Sequence, residues 1–267
     1  MIPKKIHYCW FGRNPKPKLA QKCIKSWKRF CPDYQIVEWN EDNYDLSQAP
    51  LYVRQAYEAR KWAFVTDYVR LQVVYEHGGI YLDTDVELKK KPDDLLKHQA
   101  YFGFERGEYI ATGLGFGAVE GCPILKEMMS DYENIPFVLE DGSYDLAACP
   151  VRNTEVFLRY GLKQDNSMQV LDGDVLILPS EYLSPIDNGS CTKTITDNTV
   201  SVHWFASSWC SEEERREFKN YQKMMHRIHL QTKVLETTCR FAKRILGNCL
   251  YEHIRDFLKG VIRFLKR

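Results

Sequence analysis

The sequence predicts an α/β fold, a mixed central sheet flanked by helices, on three observations. Runs rich in strand formers, such as Ile2–Trp10, Tyr34–Asn40, Val175–Pro179 and Thr199–Trp204, alternate with segments of helical period such as Pro17–Phe30 and Lys61–His77. Glycines close off elements at Phe11-Gly12 and Gly78-Gly79. Polar candidates collect at strand ends, where open α/β sheets bind their ligands.

Ile2–Trp10 alternates loosely and ends at a glycine, a common seat for a nucleotide in such a sheet. Pro17–Phe30 places Leu19, Cys23, Ile24, Trp27 and Phe30 at helical spacing, and Lys16, Lys18, Lys22, Lys25 and Lys28 read as its solvated face. Tyr34–Asn40 alternates as a second strand, and a polar, turn-rich stretch to Pro50 leads into a short helix over Tyr52–Ala59. Lys61–His77 is apolar on most sides, which predicts a buried helix, with Gly78 as its C′ residue. Tyr101–Glu105 and Ile110–Val119 read as further strands, the second with Gly113, Gly115 and Gly117 at alternate places. Repeated glycine in a strand implies a close neighbour, either a substrate or a crowded sheet. Pro123–Tyr132 and the run after Pro150 read as helices, Val175–Pro179 as a strand, Tyr182–Thr194 as a long loop and Thr199–Trp204 as the last core strand.

The chemistry centres on Gly78-Gly79-Ile80-Tyr81-Leu82-Asp83-Thr84-Asp85-Val86. On a strand, Asp83 and Asp85 point into one volume. Two carboxylates that close repel, so a cation, a sugar hydroxyl or a basic residue must compensate. Hard ions such as Mg²⁺ and Mn²⁺ suit oxygen ligands of this kind. Asp67 and Arg70, three apart on the buried helix, are either a simple ion pair or part of the same site, because an unpartnered charge in so apolar a helix is costly.

Thr66-Asp67-Tyr68-Val69-Arg70 followed by Gly78 through Asp85 resembles the sugar-binding D-x-D region of glycosyltransferase family 32, whose core is similar to that of the large clostridial glucosylating toxins. The opening Ile2–Gly12 looks like that family's first strand, and Val202–Trp209 like its last core motif. The resemblance implies a GT-A type fold over about residues 1–210 and transfer of a hexose from a nucleotide diphosphate sugar to a saccharide or lipid-linked saccharide acceptor, with retention, in bacterial surface polysaccharide (capsule or lipopolysaccharide) synthesis. It implies Mn²⁺ or Mg²⁺ held by Asp85, with Asp83 touching the ribose or sugar and approaching the ion, and Asp67 and Arg70 positioning the donor. His203 and Ser207 would complete the metal or phosphate shell, and Trp209 would close over the diphosphate. Trp10, with Tyr8 beside it, would meet the nucleotide, Trp10 by stacking on the base; core packing is the other role open to Trp10. The tryptophan-and-arginine set resembles UDP-using relatives, which puts UDP-galactose or UDP-glucose ahead of GDP-mannose. Cys149-Pro150 stands where relatives often have Gly-Pro, so contacts of that loop do not carry over.

A formal net charge of +1 gives no global attraction to a nucleic acid polymer. Nine cysteines without a C-x-x-C pair read as reduced thiols of a cytoplasmic protein. The start lacks the apolar core of a signal peptide, and no stretch reaches the ~18 apolar residues of a spanning helix. Residues 211–267 form an extension beyond the resemblance. There Leu246, Leu250, Ile254, Phe257, Val261, Phe264 and Leu265 make one helical stripe opposed by basic residues, a pattern that fits either the inner face of a membrane or packing on protein. Two other classes compete with the enzyme. Metal-dependent phosphoester hydrolysis lacks the ligand clusters of a two-metal site; an inactive sugar-binding or scaffold protein would not need the complete polar set.

Overall fold

Alternation of strand and helix in the sequence becomes a mixed sheet in the computed structural model, which describes residues 1–105, 108–186, 193–206 and isolated positions from 213 to 244. The chain divides into two compact units, and the fold below is that of the larger, Met1–Asn188 with Thr192–Glu212. Strand β1 (Lys5–Cys9) leads through α1 (Lys18–Phe30) to β2 (Gln35–Trp39). Then α2 (Leu51–Glu58) and α3 (Trp62–His77) return the chain to β3 (Gly79–Tyr81). Next come β4 (Val86–Leu88), β5 (Ala100–Glu105), β6 (Tyr109–Ile110), β7 (Phe116–Ala118), α4 (Pro123–Glu133) and α5 (Cys149–Arg159). The described core ends with β8 (Gln169–Leu171), β9 (Val175–Leu178), a short α6 (Ser180–Leu183) and β10 (Ser201–His203).

The sheet runs β2-β1-β3-β7-β5-β9-β8, with β6 on β5. β1 pairs in parallel with both β2 and β3, while β7 runs antiparallel between β3 and β5. This is the mixed sheet with flanking helices expected of the GT-A type. β4 and β10 leave it and form their own antiparallel ribbon.

Two helices fix the site. α1 buries Ala20, Cys23 and Trp27 on one side, and the Trp27 indole N–H donates to the Val86 carbonyl at 2.7 Å, tying α1 to the ribbon. Burying one such side chain contributes roughly 1.5–3 kcal/mol. α3 is buried over most of its surface, Asp67 and Arg70 included, and Glu76 is its exposed residue. It stops where Gly78, at φ 58, donates its N–H to the Val74 carbonyl at 2.9 Å; a Cβ there would lie 2.9 Å from Pro3 Cγ.

Two expectations are corrected. Ile80–Leu88 is not one strand: β3 ends at Tyr81, β4 begins at Val86, and Asp83-Thr84-Asp85 forms a turn closed by the Val86 N–H on the Asp83 carbonyl at 2.9 Å. The chain leaves the sheet because β4 finds its partner in β10 instead. Ile110–Val119 is likewise interrupted, by a 3₁₀ turn at Thr112–Leu114. The alternate glycines there answer to crowding, since a Cβ at Gly115 would lie 2.8 Å from Leu82 and one at Gly117 2.5 Å from the Tyr101 ring.

Among the described residues no helix is long and apolar enough to cross a membrane, and Cys9, Cys23, Cys31, Cys122 and Cys149 are free thiols. The stripe from Leu246 to Leu265 lies outside the described residues.

Candidate active site

The turn after β3 places Asp83 and Asp85 at one end of a cleft of about 540 Å³, a size suited to a small-molecule ligand. The carboxylates converge, as expected, but through the turn and not through strand alternation. One ligand atom from each of Asp83, Asp85 and His203 can be chosen so that all lie within 4.8 Å of one another.

Each carboxylate is held differently. Asp85 Oδ1 lies 3.1 Å from His203 Nε2, and Oδ2 accepts the Ala206 N–H at 2.8 Å. Burial raises the Asp85 carboxyl, but His203 and the Ala206 N–H together bring it below its ordinary value. Burial disfavours a charged His203, yet Asp85, by charge and hydrogen bond, carries it above the ordinary histidine range. Asp83 Oδ1 accepts the Tyr81 hydroxyl at 2.9 Å and lies 3.6 Å from Arg70 Nη2. Burial raises Asp83, with Arg70 opposing and Asp85 adding to the rise.

Arg70 answers the question its helix posed: it is both an ion pair and part of the site. Its Nη2 lies 3.0 Å from Asp67 Oδ1 and donates to Thr66 Oγ1 at 3.1 Å, Nε donates to the Thr66 carbonyl at 2.9 Å, and Nη1 to Thr112 Oγ1 at 3.4 Å. So satisfied a guanidinium tolerates burial, and its charge is shared by Asp67 and Asp83. Burial raises Asp67 against the pull of Arg70. Burial, and then Asp67, push the nearby Cys149 thiol well above the ordinary range, so it is not a nucleophile. The 3₁₀ turn interlocks with the site at Gly113, where a Cβ would lie 2.6 Å from Asp83 Oδ2 and 3.2 Å from Arg70 Nη1. The close neighbour implied by this glycine is a carboxylate of the protein.

Trp10 is half-buried on the cleft wall, with its indole N–H on the Asn14 carbonyl at 2.6 Å and the Lys16 ammonium 5.6 Å from its ring. Tyr8 is not part of that wall. It lies on the same side of the strand as Trp10, with the Lys16 ammonium 5.9 Å from its ring, but deeper, where its ring packs edge-on against Trp27 and its hydroxyl donates to Glu38. Ser207 and Trp209 lie outside the described residues. The cleft also takes in Trp62, Glu105 and Cys149, and behind it buried Asn153 donates to Thr112 Oγ1 at 3.2 Å. Sequence reasoning missed Trp62, Glu105, Thr112 and Asn153; only Cys149 had left a signal, as a departure from the Gly-Pro of relatives.

The donor set of two carboxylates and an imidazole fits Mn²⁺ well and Mg²⁺ through its oxygens. His203 Nδ1 is buried without a hydrogen-bond partner among the described residues, a further sign that this group accommodates something more than protein.

The family model described as "Glycosyltransferase sugar-binding region containing DXD motif" matches residues 17–102. Among curated proteins the chain is similar to inositol phosphoceramide mannosyltransferase 3 of Schizosaccharomyces pombe, 29% identical over 51% of this chain and 38% of that protein, so it matches well under half the relative's length. It is also similar to inositol phosphoceramide mannosyltransferase 1 of the same organism, 28% identical over 77% of this chain and 69% of that protein. A solved structure of PaToxG glycosyltransferase is 20% identical, with a TM-score of 0.46, over 59% of this chain and 68% of that one. The matched stretch, residues 17–102, is similar to that sugar-binding region and includes Asp83-Thr84-Asp85, which has the form of its DXD motif.

Proposed function

We propose that this chain transfers a hexose from a nucleotide diphosphate sugar to a hydroxyl of a saccharide or lipid-linked saccharide acceptor, using Mn²⁺ or Mg²⁺ held by Asp85, Asp83 and His203. The observation that carries this reading is the convergence of those three side chains at one end of a ligand-sized cleft, with Arg70 buried behind them. In the reaction the bond between the anomeric carbon and the diphosphate oxygen breaks, its electron pair leaves with the diphosphate, and the acceptor oxygen bonds to that carbon. A bound divalent ion supplies positive charge against the diphosphate as it departs.

The protein's own groups set the stage for that charge change. Arg70 fixes Asp83 and Asp67 so that neither must reorganise during transfer, which is how fixed charges contribute most. Asp67 faces the cleft from α3 and offers an acceptor to a donor-sugar hydroxyl, with Arg70 fixing its angle. Trp10 presents an aromatic face to the base. The acceptor hydroxyl loses its proton as its bond forms; retention, expected from the resemblance, is compatible with the departing phosphate taking that proton.

UDP-galactose or UDP-glucose as donor rests on the resemblance of the tryptophan-and-arginine set to that of UDP-using relatives. The names of the two Schizosaccharomyces pombe relatives favour a second donor, GDP-mannose, and a lipid-linked acceptor. A role in surface polysaccharide synthesis rests on the resemblance. The test is a panel of UDP-glucose, UDP-galactose and GDP-mannose with Mn²⁺, scored by nucleoside diphosphate release. Turnover of one donor well above the others supports the reading and names the sugar. Release from none, with saccharide acceptors present and the protein folded, overturns it.

A further inference from the structure

Charge on this chain is nearly balanced overall, at +1, yet α1 holds Lys18, Lys22, Lys25, Lys28 and Arg29 and no acidic residue. Lys18, Lys22, Lys25 and Arg29 follow one another at helical spacing, so they form a single exposed stripe along the helix. The fold gives no reason for Lys18, the first residue of the helix. α1 has no side-chain N-cap and no acidic residue in its first turn, and cations there oppose the helix dipole. A local rule broken without structural return points to function.

The stripe has a second component. Trp204, just beyond β10, is half-buried, and the ammonium groups of Lys22, Lys193 and Lys89 lie 5.1, 5.7 and 6.0 Å from its ring. Glu87 ties this group together, accepting from Lys22 at 2.9 Å, from Lys89 at 3.0 Å and from the Trp204 indole at 2.9 Å. The carboxylate lies underneath, its side chain 13% exposed against 58% for Lys22 and 36% for Lys89, so the outward face is cationic. Pro17, Leu19 and Ala20 at the head of α1 line the cleft, and the stripe therefore starts at its mouth.

We propose that the α1 stripe, with Lys89, Lys193 and the Trp204 indole, is a docking surface for an anionic lipid bilayer. The basic residues stand on the convex face of a helix, which suits a flat surface. Lysines gathered around an amphipathic indole match a headgroup layer, where ammonium groups meet lipid phosphates and the ring rests at the interface. Docking through this face holds the cleft mouth next to the lipid.

The test is co-sedimentation of the full chain with vesicles of phosphatidylglycerol and phosphatidylcholine, against phosphatidylcholine alone, at low and high salt. The triple variant Lys18→Gln, Lys22→Gln, Lys25→Gln is compared with a control triple elsewhere, Lys97→Gln, Lys126→Gln, Lys163→Gln. Residues 211–267 are present throughout, so the comparison reports α1. The unmodified chain and the control bind anionic vesicles at low salt, and the stripe variant partitions about a hundredfold less. Its melting temperature stays close to that of the unmodified chain, because the lost Lys22–Glu87 pair leaves Glu87 with Lys89 and Lys18 is a cation removed from a helix start. A stripe variant that binds like the unmodified chain overturns the proposal. So does an unmodified chain that ignores anionic vesicles, or one that leaves them for a soluble polyanion.

Discussion

His203 Nε2 lies 3.1 Å from Asp85 Oδ1, which joins the end of β10 to the turn after β3 beside the Trp204 and Ala206 N–H groups that also donate to Asp85. His203→Ala removes one of three candidate ligands without touching the main sheet. The Mn²⁺ concentration giving half-maximal binding rises by at least about tenfold, as changes around metal ligands do. A Mn²⁺ titration followed by tryptophan fluorescence measures this, and unchanged affinity removes His203 from the set.

Gly113 sits where a Cβ would come within 2.6 Å of Asp83 Oδ2. Gly113→Ala therefore displaces Asp83 and Arg70 while the chain still folds. Turnover falls about a hundredfold, the usual penalty for misplacing a catalytic group by an ångström. A melting temperature near that of the unmodified protein separates this outcome from unfolding, and full activity shows that Asp83 tolerates displacement.

Trp10→Ala leaves the core largely intact, because Trp10 is only half-buried on the cleft wall. Loss of a stacking face weakens nucleoside diphosphate binding about tenfold. Calorimetric titration with UDP and GDP measures it, and the nucleotide that loses affinity identifies the base. A variant that unfolds assigns Trp10 to core packing instead.

His7 gives the fold a pH dependence. Its Nε2 bonds the Gly78 carbonyl at 2.9 Å and its Nδ1 accepts the Trp39 indole N–H at 3.0 Å, an arrangement that requires a neutral ring. Burial, helped by His77 and Lys5 and opposed by the Gly78 bond, lowers its pKa from 6.5 to about 4. Between those values the unfolded chain binds more protons than the folded one. The contribution of His7 is thus full above pH 6.5 and is lost as pH falls toward 4, amounting to about 2 kcal/mol by pH 5. Urea unfolding at pH 7 and pH 5 shows this slope, and His7→Gln flattens it. Equal slopes in both proteins contradict the assignment.

What was legible in the sequence was local. Asp67 and Arg70 share a helix face at a spacing of three, Gly78 marks the helix end, and two aspartates one residue apart announce themselves. The break between β3 and β4 was not legible, because β4 pairs with β10, far along the chain, and period-two alternation over so few residues cannot separate a strand from a turn. Thr112 and Asn153 left no pattern either, since their value lies in meeting Arg70 and each other across the fold. Tyr8 was legible as a neighbour of Trp10, since residues two apart on a strand share a side and the Lys16 ammonium lies near both rings, but its burial against Trp27 left no mark in the sequence.

Metal dependence of turnover decides whether Asp85 holds an ion that the reaction needs. With the donor identified by the panel, nucleoside diphosphate release is measured with Mn²⁺, after EDTA, and after Mn²⁺ is restored, for the unmodified protein and for Asp85→Asn. The account predicts turnover that stops in EDTA, returns with Mn²⁺, and drops by about a hundredfold or more in the variant, as loss of a central electrostatic contribution does. Undiminished turnover in EDTA, or an Asp85→Asn protein as active as the unmodified one, would contradict it.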